Sequence, residues 1–114
     1  MKSNKLEFLQ GTLDMLVLRT LVLGELHGYG IAQAIRQTTA EAIQVEAGSL
    51  YPALQRLELK GLVTAKWEVS ERNQRTRIYR LTPAGRKQLR AEVSRWEDFV
   101  QAVALILNSK AVEE

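Results

Sequence analysis

Across Gly61 the hydrophobic period of this chain changes from helical to extended within a few residues. On the N-terminal side, Leu50, Leu54 and Leu57 recur at four- and three-residue steps, the repeat that lines one face of an α-helix. On the C-terminal side, Val63, Ala65, Trp67 and Val69 alternate with Thr64, Lys66 and Glu68, which predicts a strand with one face turned inward. A glycine between the two suits the left-handed position that stops a helix. A helix that turns straight into a strand admits few architectures, and the flanking segments narrow them further.

Upstream, Leu13, Leu16, Val17 and Leu21 predict a helix over 12–24, with Thr12 as N-cap and Gly24 as its end. "HGYG" (27–30) predicts a turn, then a second helix from about Tyr29 to Thr38 with Ile31, Ala34 and Ile35 inward. The polar stretch "QTTAEAIQVE" interrupts the pattern, and a brief extended segment is expected at 43–45. The third helix is expected from Gly48 or Ser49 to Lys60. Pro52 then falls in its first turn, where a missing amide costs nothing. Downstream of the first strand, "SERNQRT" is a polar turn and "RIYRL" (77–81) a second strand, so the two form a hairpin with a basic tip. "TPAG" then opens a final helix, with Thr82 as N-cap and Pro83 at its first position.

That final helix carries Leu89, Val93, Trp96, Val100, Val103 and Leu107 at steps of 4, 3, 4, 3 and 4. This is a narrow apolar seam of the kind that meets another helix. A chain of 114 residues has little core to cover so long a stripe, which points to a homodimer.

Charge is distributed unevenly. Residues 47–90 hold ten Lys/Arg against three Asp/Glu, whereas the segments before and after are slightly acidic. A basic block of this kind is the electrostatic footprint of a surface that meets phosphates. Cysteine is absent, which excludes disulfides and thiolate sites and is consistent with a cytoplasmic location. No apolar run approaches the roughly 18 residues of a membrane span. His27 is the only histidine, and its place before a glycine turn suggests a local hydrogen bond at a helix start. Asp14 and Glu25 form no paired-carboxylate arrangement, and the residues call for no metal, cofactor or catalytic site.

Three helices followed by a hairpin form a winged helix-turn-helix, a mainly α fold with a small β-hairpin. The expected division is 1–82 as a DNA-binding domain and 83–114 as a long C-terminal dimerisation helix. With Leu50, Leu54 and Leu57 inward, Pro52 and Gln55 point away from the core, flanked by Ser49, Tyr51 and Arg56. Hydroxyl, phenol, amide and guanidinium groups suit base edges and phosphates of a double-stranded DNA operator. The hairpin adds Arg72, Asn73, Gln74, Arg75 and Arg77, with Lys66 on the facing strand. Arginines at a hairpin tip suit phosphate forks or a narrow minor groove.

"GTLDMLVLRTLVLGELHGYGI", "GSLYPALQRLELKGLV" and "RIYRLTPAGRKQL" resemble the PadR family of bacterial transcriptional regulators, over roughly residues 8–92. The last helix is similar to that of the short type, with a single dimerisation helix. The resemblance implies a homodimer on an inverted-repeat operator, usually a repressor. It also implies that the third helix reads the major groove through Ser49, Tyr51, Pro52 and Arg56, and it places Tyr79 in the wing. The tip "SERNQRTR" departs from the glycine- and lysine-rich turn of many members. The resemblance further implies that a flat aromatic effector can stack on Trp96 between protomers, with Met15 and Phe8 lining the pocket. The other reading of Trp96 is dimer core. A winged helix that docks an acidic protein instead of DNA is the alternative function.

The seam is open to a direct test. Val100→Asp places an unpaired carboxylate on it, and sedimentation is expected to show a monomer. An unchanged dimer would refute the heptad reading.

Overall fold

The computed structural model describes residues 11–110. In chain order the elements are α1 (Thr12–Thr20), a 3-10 turn (Leu21–Leu23), β1 (Leu26–His27), α2 (Gly28–Thr38), α3 (Ala47–Leu59), β2 (Val63–Val69), β3 (Arg75–Leu81) and α4 (Pro83–Leu107). The fold is thus mainly helical with a small antiparallel sheet, as the sequence predicts.

The helix starts and stops show where local chemistry acts. Gly11, not Thr12, is the N-cap of α1, in a left-handed conformation with φ of 100°. The expected single helix over 12–24 tightens into the 3-10 turn after Thr20 and ends at Gly24. His27 caps α2 as anticipated, its Nδ1 accepting from the Gly30 amide at 3.1 Å. α3 begins at Ala47, earlier than expected, so Pro52 lies in the second turn and its absent N–H leaves the Gly48 carbonyl without its helical donor. Thr82 caps α4 by accepting from the Gly85 amide at 2.9 Å, with Pro83 next to it.

Among the described residues the sheet has three strands, ordered β1-β3-β2. The hairpin of β2 and β3 runs in unbroken register from Val63↔Leu81 to Val69↔Arg75. On its other edge β3 pairs with β1, Leu26 lying opposite Tyr79. Residues 43–45, expected to be extended, join no strand, and the third strand of the sheet is Leu26–His27. The hydroxyl of Thr39 explains part of that: it accepts from the Ile43 amide at 3.0 Å and ties the α2–α3 connection to the end of α2.

The core joins α1 (Val17, Leu18), α2 (Ile31, Ile35), α3 (Leu50, Ala53, Leu54, Leu57), the sheet base (Val63, Tyr79, Leu81) and Leu89 of α4. Leu50, Leu54 and Leu57 are each 1 % exposed. Truncating any of them to Ala costs about 2–5 kcal/mol, so burial of this stripe sets the orientation of α3. The alternation of β2 is buried only at its base. Trp67 and Val69, expected to face inward against the core, are 56 % and 64 % exposed because the hairpin runs past the end of α3.

At the corner between α3 and β2, Gly61 has φ of 74°. The Gly61 amide donates to the Glu58 carbonyl and the Leu62 amide to the Leu57 carbonyl, at 3.0 and 2.9 Å, a Schellman stop. The Thr82 hydroxyl donates to the Gly61 carbonyl at 2.8 Å, and the Thr82 amide donates to the Leu62 carbonyl at 3.1 Å. Gly85 packs so closely here that a Cβ would overlap the Leu62 carbonyl oxygen. Gly85→Ala is therefore expected to destabilise the fold by about 1–3 kcal/mol, seen as a lower denaturation midpoint. A midpoint matching wild type would show that the start of α4 is free to shift.

Candidate nucleic-acid interface

The leucine stripe that buries one side of α3 leaves Ser49, Tyr51, Pro52 and Gln55 exposed on the other. Four of the five residues expected on the outer face, all but Arg56, are exposed there. The Tyr51 ring lies against the start of α2, where a Cβ on Gly28 would come within 2.7 Å of its hydroxyl. This contact links the two helices on the surface side as the core does beneath.

Arg56 is placed differently from expectation. Its guanidinium turns back towards α1, where Nη2 donates to Asp14 Oδ1 at 2.8 Å. Asp14 lies in the first turn of α1, so the pair acts as a strap between α1 and α3. Arg77 is likewise drawn away from the hairpin tip: its Nη2 donates to Glu58 Oε2 at 2.9 Å. The Nε of each of these arginines is buried without a hydrogen-bond partner. Both pairs are partly exposed, and a pair of that kind contributes about 0.2–1 kcal/mol. They orient side chains far more than they stabilise the domain.

Lys66 also departs from the expected set. Strand alternation puts it on the face opposite Trp67, where Nζ lies 3.7 Å from Glu25 and 3.5 Å from Glu68. It is thus turned away from the α3 side of the wing.

The tip itself is exposed and carries Arg72, Asn73 and Arg75. Asn73 adopts a left-handed φ of 63°, which an asparagine tolerates better than most residues. The Ser70 hydroxyl accepts from the amides of Arg72 and Gln74 at 3.3 and 3.2 Å. The Ser70 amide also donates to the Gln74 carbonyl at 2.8 Å. Asn73 has a role in shaping the turn, and the arginines project from a self-bonded loop. The guanidinium of Arg75 lies 4.5 Å from the centre of the Trp67 ring, and that of Arg77 lies 5.4 Å from it. Both fall inside the roughly 6 Å range of a cation–π contact.

Three contributors escaped sequence reasoning. Asp14 and Glu58 carry no periodic signal that marks them as partners of Arg56 and Arg77, because both pairs join residues far apart in sequence. Trp67 was hidden by its own alternation, which reads as core. Tyr79, expected in the wing, sits in the buried centre of the sheet. Burial pushes its phenol above the ordinary value of 10.0, with Glu58 and Tyr51 reinforcing and Arg77 opposing the shift.

On the seam of α4, Leu89 is buried and Val93 packs against the core, whereas Trp96, Val100, Val103 and Leu107 are exposed. Phe99 stands beside Trp96, their ring centres 6.4 Å apart. Trp96 and Met15 meet at one shallow depression of about 260 Å³ that Phe99 also lines. Phe8, the third residue expected there, lies outside the described residues. Among the described residues no helix is long and apolar enough to cross a membrane.

Residues 17–91 match the transcriptional regulator PadR-like family. A transcriptional regulator from Clostridium thermocellum superposes with a TM-score of 0.80 at 29 % identity, over 87 % of this chain and 96 % of that one. A PadR family transcriptional regulator from Eggerthella lenta gives a TM-score of 0.78 at 31 % identity, over 89 % and 86 % of the two chains. In sequence, a transcriptional regulator of Mycobacterium tuberculosis is 32 % identical over 97 residues, 85 % of this chain and 87 % of that protein.

The Tyr79 phenol feels Glu58 and Tyr51 of α3 and Arg77 of its own strand. Its pKa is raised in the fold, so the neutral form is favoured there. The stability this represents is present in full below pH 10.0 and is lost as pH rises through the folded value. Denaturation midpoints of wild type are expected to fall more steeply above that pH than those of Tyr79→Phe. Parallel profiles would show that Tyr79 ionises as freely in the fold as in the unfolded chain.

Proposed function

The chain belongs to the transcriptional regulator PadR-like family, a family of DNA-binding regulators, and from that premise we propose that it is a homodimeric, sequence-specific repressor of an inverted-repeat operator in the cytoplasm. The observation that carries this reading is an exposed helix face tied to an exposed basic hairpin. Ser49, Tyr51, Pro52 and Gln55 are exposed on α3, the hairpin tip presents Arg72 and Arg75, and Arg77 of the hairpin donates to Glu58 of α3 at 2.9 Å. An exposed recognition helix beside a basic wing fits a major groove and its flanking phosphates.

Within this reading Gln55 is the principal base-edge contact. It sits at the centre of the exposed face, and its amide can pair in bidentate fashion with adenine. Tyr51 and Ser49 flank it with hydroxyls, and Pro52 supplies an apolar edge. Arg72 and Arg75 hold phosphates. Arg56 and Arg77 serve first as straps that set the pose of α3 and the wing. Because each strap is worth about 1 kcal/mol or less, a phosphate close by can recruit either guanidinium at small cost.

The exposed half of the α4 seam supports pairing of two copies, since Trp96, Val100, Val103 and Leu107 are uncovered in one chain. The depression lined by Met15, Trp96 and Phe99 borders that seam. It favours a second element of the proposal, in which a flat aromatic effector stacks on Trp96 and relieves repression.

Selection from a random pool of duplexes at physiological salt tests the reading. Wild type is expected to enrich a palindromic motif and to prefer it about a thousandfold over scrambled DNA. Gln55→Ala is expected to lose about 1–3 kcal/mol on that motif and to relax its sequence at one position in each half. A pool from which no motif emerges would favour the protein-docking alternative.

A further inference from the structure

We propose that Trp67 is a positioning residue for the wing. Its indole holds the Arg75 guanidinium at the phosphates and couples the hairpin to the recognition helix through Arg77 and Glu58. The proposal rests on the DNA-binding reading above.

The side chains form a chain of contacts from helix to tip. Glu58 on α3 accepts from Arg77 at 2.9 Å. Arg77 lies directly across from Trp67 in the β-ladder and 5.4 Å from the centre of its ring. Arg75, diagonal to Trp67, lies closer still at 4.5 Å. Trp67, Arg75 and Arg77 stand on the sheet face shared with Tyr79, and Glu58 reaches that face from α3. This face is buried at the base of the sheet and becomes exposed at Trp67 and Arg75.

An indole that remains 56 % exposed contributes little to the core. What it supplies is a flat, electron-rich surface for cations. An arginine on a free hairpin samples many rotamers, and ordering it at a phosphate costs side-chain entropy. A guanidinium already laid against the ring has lost part of that freedom before DNA arrives. Its N–H edge stays available, since stacking uses the face of the guanidinium and phosphate pairing uses the rim. Glu58 joins the far end of the series to α3, a weak tie that biases the offset of the ring and its arginine from Gln55 without fixing it.

The salt dependence of binding isolates this role. Each phosphate neutralised by a protein cation adds about 0.9 to the slope of log K against log salt. Trp67 is uncharged, so a direct apolar contact with DNA would leave that slope alone. A positioning role would not, because the phosphate contact of Arg75 would go with it. Affinity and slope are to be measured on the motif selected by wild type and on a random duplex, for wild type, Trp67→Leu, Trp67→Phe, Arg75→Gln and the double variant Trp67→Leu/Arg75→Gln. Trp67→Leu and Arg75→Gln are each expected to reduce the slope by about 0.9 and to weaken binding about tenfold. The double variant is expected to lose no more than either alone, and Trp67→Phe, which keeps an aromatic face, to retain the slope. Thermal melts of the variants identify any that fail to fold, and Trp67→Phe serves as the conservative control.

If wild type selects a motif while Trp67→Leu keeps the full slope, the positioning role is overturned and DNA recognition stands. Losses that add in the double variant overturn it equally. A wild type that selects no motif refutes specific recognition, while the slopes on the random duplex still decide the role of Trp67. A wild type that binds neither duplex overturns both.

Discussion

The Leu62 carbonyl is the point on which the architecture turns. It receives the Thr82 amide at 3.1 Å, and Gly85 presses against it with no room for a side chain. One residue earlier, the Gly61 carbonyl receives the Thr82 hydroxyl. The end of α3, the start of β2, the end of β3 and the first turn of α4 all converge within these few atoms. A carbonyl in such a place must be paired, since an unmet buried acceptor costs about as much as a lost hydrogen bond. The wing and the long helix thereby leave the same corner in set directions.

Much of this was legible in the sequence because it is written in local terms. Gly61, Thr82 and Pro83 are caps and stops whose chemistry acts over three or four residues. The leucines of α3 announce their own burial by spacing. His27 was readable as a helix-start residue from the glycines beside it. The errors share a different cause. Trp67 and Val69 satisfy the alternation of a half-buried strand, yet a period says only which residues share a face, not how far the core extends beneath them. Arg56 sits on the flank of its wheel, where a small rotation of the side chain decides between solvent and Asp14. That decision belongs to a residue 42 positions away.

The same distinction tempers the basic block. Ten Lys/Arg against three Asp/Glu over residues 47–90 suggests a uniform positive field. In the fold, Arg56, Arg77 and Lys66 each face a carboxylate, two of which come from outside that block. Of the rest of the block, Arg72 and Arg75 stand at the hairpin tip, Lys60, Arg80, Arg86, Lys87 and Arg90 are exposed elsewhere, and hydrogen-bonding groups of neutral character are left on the outer side of α3. On the proposed reading, attraction to phosphates and discrimination among bases would fall to separate parts of the molecule.

The hydrophobic core closes within one chain, with Leu89 as its last buried residue on α4, and the uncovered seam begins at Trp96. If two copies pair through that seam, as proposed, folding and pairing would be separable events rather than one. A protomer that keeps its fold when alone could then be diluted without being lost, and would pair again as its concentration rises. Where a target needs two copies, occupancy below the pairing constant climbs with the square of the protomer concentration. A modest change in synthesis rate would then act on the target as a threshold, a property that arises from where the core stops along one helix.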